Sequence, residues 1–180
     1  AVISGNLCIR NHRDYGAYAS AIPPLKSLGN RYVLPNLASD SATPAGFSSS
    51  VVATEKNTAV ESEGDVRYLD EGETAIFEYL YQDRSVVINC SKVCLVAQYS
   101  KSWSPYQGLF MLHGMPEHMF QMSAYLSSLA VSFPTFLSLI VQGEDPGQDI
   151  YLNGVSLVYL TWSAIDGFTS AELSIPSGNH

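Results

Sequence analysis

Apolar and polar positions alternate over short runs along most of this chain. Over residues 74–81, Ala75, Phe77 and Tyr79 alternate with Thr74, Ile76, Glu78 and Leu80. A period of two marks a strand with one buried face. Runs rich in Val, Ile, Leu and aromatic residues recur at 2–10, 31–34, 50–54, 64–69, 85–89, 93–99, 108–113, 135–142, 150–153 and 155–162. Turn signals separate them: Asp70-Glu71-Gly72, Ser91-Lys92, Asp145-Pro146-Gly147 and Asn153-Gly154. The last is the preferred pair for a two-residue hairpin.

One segment departs from this pattern. Met115, Met119, Met122, Leu126, Leu129 and Phe133 recur at spacings of three and four. Pro116 suits a first helical position, and Glu117 suits the positive end of the helix dipole. Pro134 would stop the helix. The spacing predicts a helix at 116–130 whose Met stripe packs in a core. Residues 10–50 are rich in Ala, Ser, Pro, Gly and Asn and read as an extended arm.

The sum predicts a mainly β chain. It is an antiparallel β-sandwich, jelly-roll-like, with one short helix near 116–130 and an extended N-terminal arm. The arm covers 1–50 and the sandwich 51–180, within a single domain overall. Strands and helices do not alternate, which argues against a doubly wound fold.

Charge changes what such a fold can do. The 180 residues carry a net charge of −8, with nine Lys plus Arg. Arg10, Arg13, Lys26 and Arg31 are spread over the arm. No Lys or Arg follows Lys101. Nucleic-acid binding needs cations on phosphates, so the C-terminal half is no nucleic-acid surface. Acid gathers between Glu55 and Asp83, a run that reads as a solvated face. Residues 124–141 are apolar enough to raise a membrane span, but Pro134, several Ser and the absence of flanking cations favour core, so no span is predicted.

The cysteines are Cys8, Cys90 and Cys94. Cys90 and Cys94 face each other if a hairpin turn separates them, and lie too far apart to bond if one regular strand holds both. An odd number does not suggest an oxidised framework, so assembly in a reducing compartment is expected. Asn89-Cys90-Ser91 matches the N-glycosylation pattern.

Candidate chemistry is sparse. His113-Gly-Met-Pro-Glu-His118 is out of register with helical zinc patterns, and Gly114 and Pro116 keep its histidines off one helix turn. Asp145 and Asp149 flank a turn glycine, but calcium needs about six to eight oxygens. His113, His118, Asp145 and Asp149 are therefore weak metal candidates. Calcium is the favoured ion if a metal binds at all, and no cofactor is expected. There is no Gly-x-Ser-x-Gly elbow and no Gly-rich phosphate loop. The strongest surface candidate is the aromatic run with Tyr99, Trp103 and Tyr106, whose flat faces suit a protein interface or a sugar ring. Trp162 reads as core.

These features favour a non-enzymatic structural or attachment domain. The expected form is a viral coat, spike or capsid-projection module that oligomerises and faces a host surface. Its partners would be copies of itself, other coat subunits, or a host glycan or protein, on a virion or extracellular surface. The alternatives are a lectin-like carbohydrate-binding domain using the Trp/Tyr loop, and a hydrolase with a site built from separated loops.

Overall fold

The computed structural model describes residues 2–11, 14–22, 28–35, 46–79, 84–100, 109–112, 135–143, 150–152 and 154–175. The chain is mainly β and its strand pairs are antiparallel, as the alternation predicts. Among the described residues there is no helix. The helix expected at 116–130 lies outside them.

Two compact units divide the chain, Ala1–Met119 and Phe120–His180. The first opens with a hairpin of β1 (Val2–Asn11) and β2 (Asp14–Ile22). The arm was expected to be strand near 2–10, and it is. The second strand was not expected. It then holds β3 (Gly29–Leu34), β4 (Phe47–Ala53), β5 (Thr58–Ser62), β6 (Asp65–Leu69), β7 (Thr74–Tyr79), β8 (Val86–Ser100) and β9 (Leu109–Leu112). These seven form one sheet of path β6-β5-β8-β4-β7, with β3 and β9 also paired to β8. Residues 29–34 and 47–50 of the expected arm are therefore built into the main sheet.

The sheet curls into a nearly closed barrel because its two end strands, β6 and β7, are consecutive in the chain. Alternation fills its inside. Phe47, Val51 and Ala53 of β4, Val60 of β5, Ala75, Phe77 and Tyr79 of β7 and Val86, Ile88 and Val96 of β8 form the core with Tyr32 and Leu34 of β3. The β5–β6 hairpin turns on Glu63 and Gly64, with φ of 51° and 82°. Two successive positive φ values are what a twist-matched two-residue turn requires, and glycine takes one at no steric cost.

β8 is the spine. Its first part pairs with β5 and β3, its second with β4 and β9. Two strands with a turn at Ser91-Lys92 were expected here. One strand runs through instead, buckled where Cys90 and Cys94 are disulfide-bonded. Four residues of regular strand would span about 13 Å. The Cα atoms of the two cysteines are 6.6 Å apart, so residues 91–93 are looped out. The regular-strand geometry that would have kept the sulfurs apart is thereby removed. A disulfide also belongs to oxidising surroundings, which counts against the expected reducing compartment.

The buckle is tied on all sides. Tyr32 Oη accepts from Gly29 N at 3.0 Å and donates to the Cys94 carbonyl. Ser91 Oγ accepts from Ala59 N at 2.9 Å, Thr54 Oγ1 donates to Val93 O at 2.6 Å, and Lys92 Nζ donates to Lys56 O. Turn 54–57 and loop 91–93 thus bend together, and the sheet turns a corner there.

In the second unit, β10 (Thr135–Gln142), β11 (Tyr151–Leu152), β12 (Val155–Ser156), β13 (Ser163–Ile165) and β14 (Phe168–Ile175) form two small sheets, β10-β14-β13 and β11-β12. The hairpin at Asn153-Gly154 forms as predicted, with Leu152 opposite Val155. The expected strand at 155–162 is shorter, because the chain turns at 158–160. Asp166 and Gly167, with φ of 43° and 75°, make the unexpected β13–β14 turn.

Replacing Cys90 and Cys94 together by Ser is expected to lower stability by about 2 kcal/mol, the loop-closure value for so short a tether. Urea denaturation reads this, and wild-type protein in reductant should fall to the same midpoint. Equal midpoints for oxidised and double-Ser protein would show that the hydrogen bonds hold the buckle alone.

Candidate protein-binding surface

The residues singled out from sequence divide sharply. Tyr99 is half-buried on β8, opposite Ser48 and Leu109. Trp103 and Tyr106 lie outside the described residues, as do His113, His118, Asp145 and Asp149. Of the aromatic run only Tyr99 is therefore described, and of the metal candidates none. Among the described residues, no group of three or more His, Cys, Asp or Glu side chains is placed to hold a metal. Trp162 is half-buried and outside any strand, and its Nε1 has no hydrogen-bond partner among the described residues. Asn89 of the glycosylation pattern lies within β8, where its Nδ2 donates to Glu61 Oε2 at 3.1 Å.

Polar groups inside the barrel are structural. Tyr79 Oη lies 2.7 Å from Ser62 Oγ and 3.4 Å from Ser49 Oγ, and Ser62 donates to Val87 O at 3.2 Å. One proton order satisfies the chain: Ser49 to Tyr79, Tyr79 to Ser62, Ser62 to the carbonyl. Burial pushes the Tyr79 phenol above its ordinary value, and its two serine bonds oppose this only in part. Burial does the same to Tyr32, with the Gly29 amide opposing. Both phenols therefore stay protonated as donors at neutral pH. Gln98 is fully buried, with Nε2 on Pro35 O at 2.7 Å and no partner for Oε1 among the described residues.

The outside of the same barrel differs. β6 reads Asp-Val-Arg-Tyr-Leu, and its pairing with β5 sets Leu69 opposite Thr58 and Arg67 opposite Val60. Leu69, Thr58 and Val60 are buried, so Asp65 and Arg67 share the inward parity. Val66 and Tyr68 then point outward. Tyr68 is 77% exposed, Val66 49%, and Ile76 of β7 57%. Side chains of this size in water, on paired strands, form a candidate contact surface.

Arg67 explains the inversion. The two end strands of the curl are not hydrogen-bonded to each other in the ladder. Arg67 crosses this seam: Nη1 donates to Ile76 O at 2.7 Å, and the guanidinium lies 4.5 Å from the Phe77 ring centre. Its Nη2 and Nε both reach Asp65 Oδ2, at 2.7 and 3.1 Å. An apolar residue at 67 could not satisfy the Ile76 carbonyl.

Carboxylates rim the outward patch. Turn 70–73 carries Asp70, Glu71 and Glu73 at one end, and Glu61 and Glu63 lie at the other. Within the turn, Asp70 Oδ1 accepts from Asn57 N and Glu73 Oε2 from Asp70 N. Arg84 is engaged by Glu63 at 2.6 Å. The expected solvated acidic face is thus present, with apolar side chains at its centre. Sequence reading missed that centre because Val66 and Tyr68 look like inward positions of an ordinary strand. A second group of exposed apolar side chains, Tyr151, Val155, Val158 and Tyr159, lies on the β11–β12 hairpin and the turn after it.

A family model described as IgGFc binding protein matches residues 1–180, the whole chain, and the chain belongs to that family. No curated protein and no solved structure matches it.

Arg67→Ala is expected to destabilise the barrel by about 1–2 kcal/mol through the lost carbonyl bond and ring contact. Arg67→Lys should recover only part of this, since it loses the planar fork; urea midpoints of the two variants check both statements. In the second unit, partial desolvation raises the Glu172 carboxyl above its ordinary value. A raised carboxyl favours the folded state below its unfolded pKa, and that contribution is lost as pH rises through the folded value. Glu172 is still exposed by surface area, so Glu172→Gln should raise the melting temperature only slightly at neutral pH, with the gain shrinking toward pH 4. A gain that does not vary with pH would contradict the burial account.

Proposed function

We infer from that membership that the chain is a non-enzymatic protein-binding domain acting outside the cell, with the Fc part of immunoglobulin G as its partner. The match along the entire chain carries the reading. Three physical features support it. The buried Cys90–Cys94 bond suits an oxidising, extracellular setting. The acidic balance, with no cation beyond Lys101, disfavours nucleic acid as a partner. Large apolar side chains stand outward on paired strands, as a protein-contacting surface requires.

The outward-facing attachment module expected from sequence shares the non-enzymatic, partner-contacting core of this reading. Its coat, spike and self-assembly elements stay proposals, as does sugar stacking on Tyr99, Trp103 and Tyr106. A two-sheet, jelly-roll-like sandwich is likewise a proposal for the whole chain. None of these has a relative's name or a described contact behind it.

Biolayer interferometry of the oxidised chain against immobilised IgG Fc and Fab tests the conclusion. Saturable binding to Fc with no response on Fab is expected. A folded, disulfide-intact chain that gives no saturable Fc response overturns it.

A further inference from the structure

We propose that the outer face of β6 and β7, centred on Tyr68 with Val66 and Ile76, is the docking surface, and that it takes a protein patch with an apolar centre ringed by Lys or Arg. This rests on the Fc-binding reading and makes that patch of Fc the occupant.

The centre of the surface is the first ground. Tyr68 and Val66 are two apart on one strand and so lie on the same face. The Arg67 latch links β6 to β7 at the level of Ile76. A tyrosine offers a large contact area for few rotatable bonds and is enriched where binding energy concentrates. All five residues of β6 pair with β5, and β7 pairs with β4 through Thr74–Tyr79. The three side chains are therefore presented on a preorganised frame, which lowers the ordering cost of association.

Charge selects the partner. Glu61, Glu63, Asp70, Glu71 and Glu73 rim the face, and Glu78 shares the outward parity of Ile76. Of the nearby cations, Arg67 is engaged by Asp65 and the Ile76 carbonyl and Arg84 is paired with Glu63, which leaves Lys56 of turn 54–57, outnumbered by Glu61, Asp70, Glu71, Glu73 and Glu78. The rim that meets a partner is thus anionic, and a cationic rim complements it. A second copy of this chain would set like charges against each other.

Fc binding is measured at low and high salt for the wild-type chain and for Tyr68→Ala, Tyr68→Phe and Tyr159→Ala, with far-UV circular dichroism to verify folding. Tyr68→Ala should weaken binding about tenfold or more. Tyr68→Phe and Tyr159→Ala should stay within about twofold of wild type, being a conservative change and a change in the second unit. Affinity should fall several-fold as salt screens the rim. If wild type binds and Tyr68→Ala binds equally, the surface is wrong while the partner reading stands. If Tyr159→Ala alone weakens binding, the β11–β12 hairpin is the contact and this assignment is overturned. Salt-independent binding overturns the cationic partner patch. A wild-type chain that does not bind Fc overturns the partner reading and this inference with it. Dimerisation abolished by Tyr68→Ala would assign the face to a second copy instead.

Discussion

The seven-stranded sheet of the first unit hangs on β8 being long enough to serve four neighbours and bent enough to let them curl. A straight strand from Val86 to Ser100 would hold β3, β5, β4 and β9 in one open array. The Cys90–Cys94 bond draws in what would be about 13 Å of strand to 6.6 Å. Both cysteines keep the inward parity of Ile88 and Val96, so the core stays continuous through the bend. The shortfall in ladder bonds is met locally. Tyr32 caps the Cys94 carbonyl, and Ser91 and Val93 exchange bonds with the facing strand and turn. Without Tyr32 the Cys94 carbonyl would be buried and unsatisfied.

Curling brings a second problem, the seam where the ends of the sheet meet. Arg67 closes it with a side chain where a ladder would otherwise be needed. The consequence reaches the surface. With Arg67 and Asp65 turned toward the seam, the intervening Val66 and Tyr68 have no choice but to face water. A structural device for closing a barrel and an exposed apolar patch are therefore two sides of one strand. The patch is maintained by the fold even though it contributes nothing to the core, which is the pattern of a surface kept for contact.

Electrostatics act at longer range. Glu61, Glu63, Asp70, Glu71, Glu73 and Glu78 lie around that patch, and Arg67 and Arg84 are tied into internal pairs. Exposed pairs such as Arg84–Glu63 add little stability, but they remove positive charge from the rim. The face therefore discriminates among partners by sign before shape is tested.

The amino-acid sequence by itself determined the mainly β character, the alternating faces of β7, the Asn153-Gly154 hairpin and the solvated acidic face. Each is local: a period of two, a turn pair or a charge run has its meaning within a few residues. It left β2, β5, β13 and β14 unread. Thr58–Ser62 is short and polar-edged, and Asp166-Gly167 is a turn pair whose strands are weakly patterned. The aromatic run and the metal candidates were legible only as composition, and all of them but Tyr99 lie outside the described residues. Only the tertiary structure decided that Cys90 and Cys94 bond inside one strand, because regular strand geometry forbids it and a buckle shared with turn 54–57 permits it. Only the tertiary structure turned Val66 and Tyr68 outward, because the parity of β6 follows from where Leu69 meets Thr58 and from the seam that Arg67 closes, and neither is encoded within β6 itself.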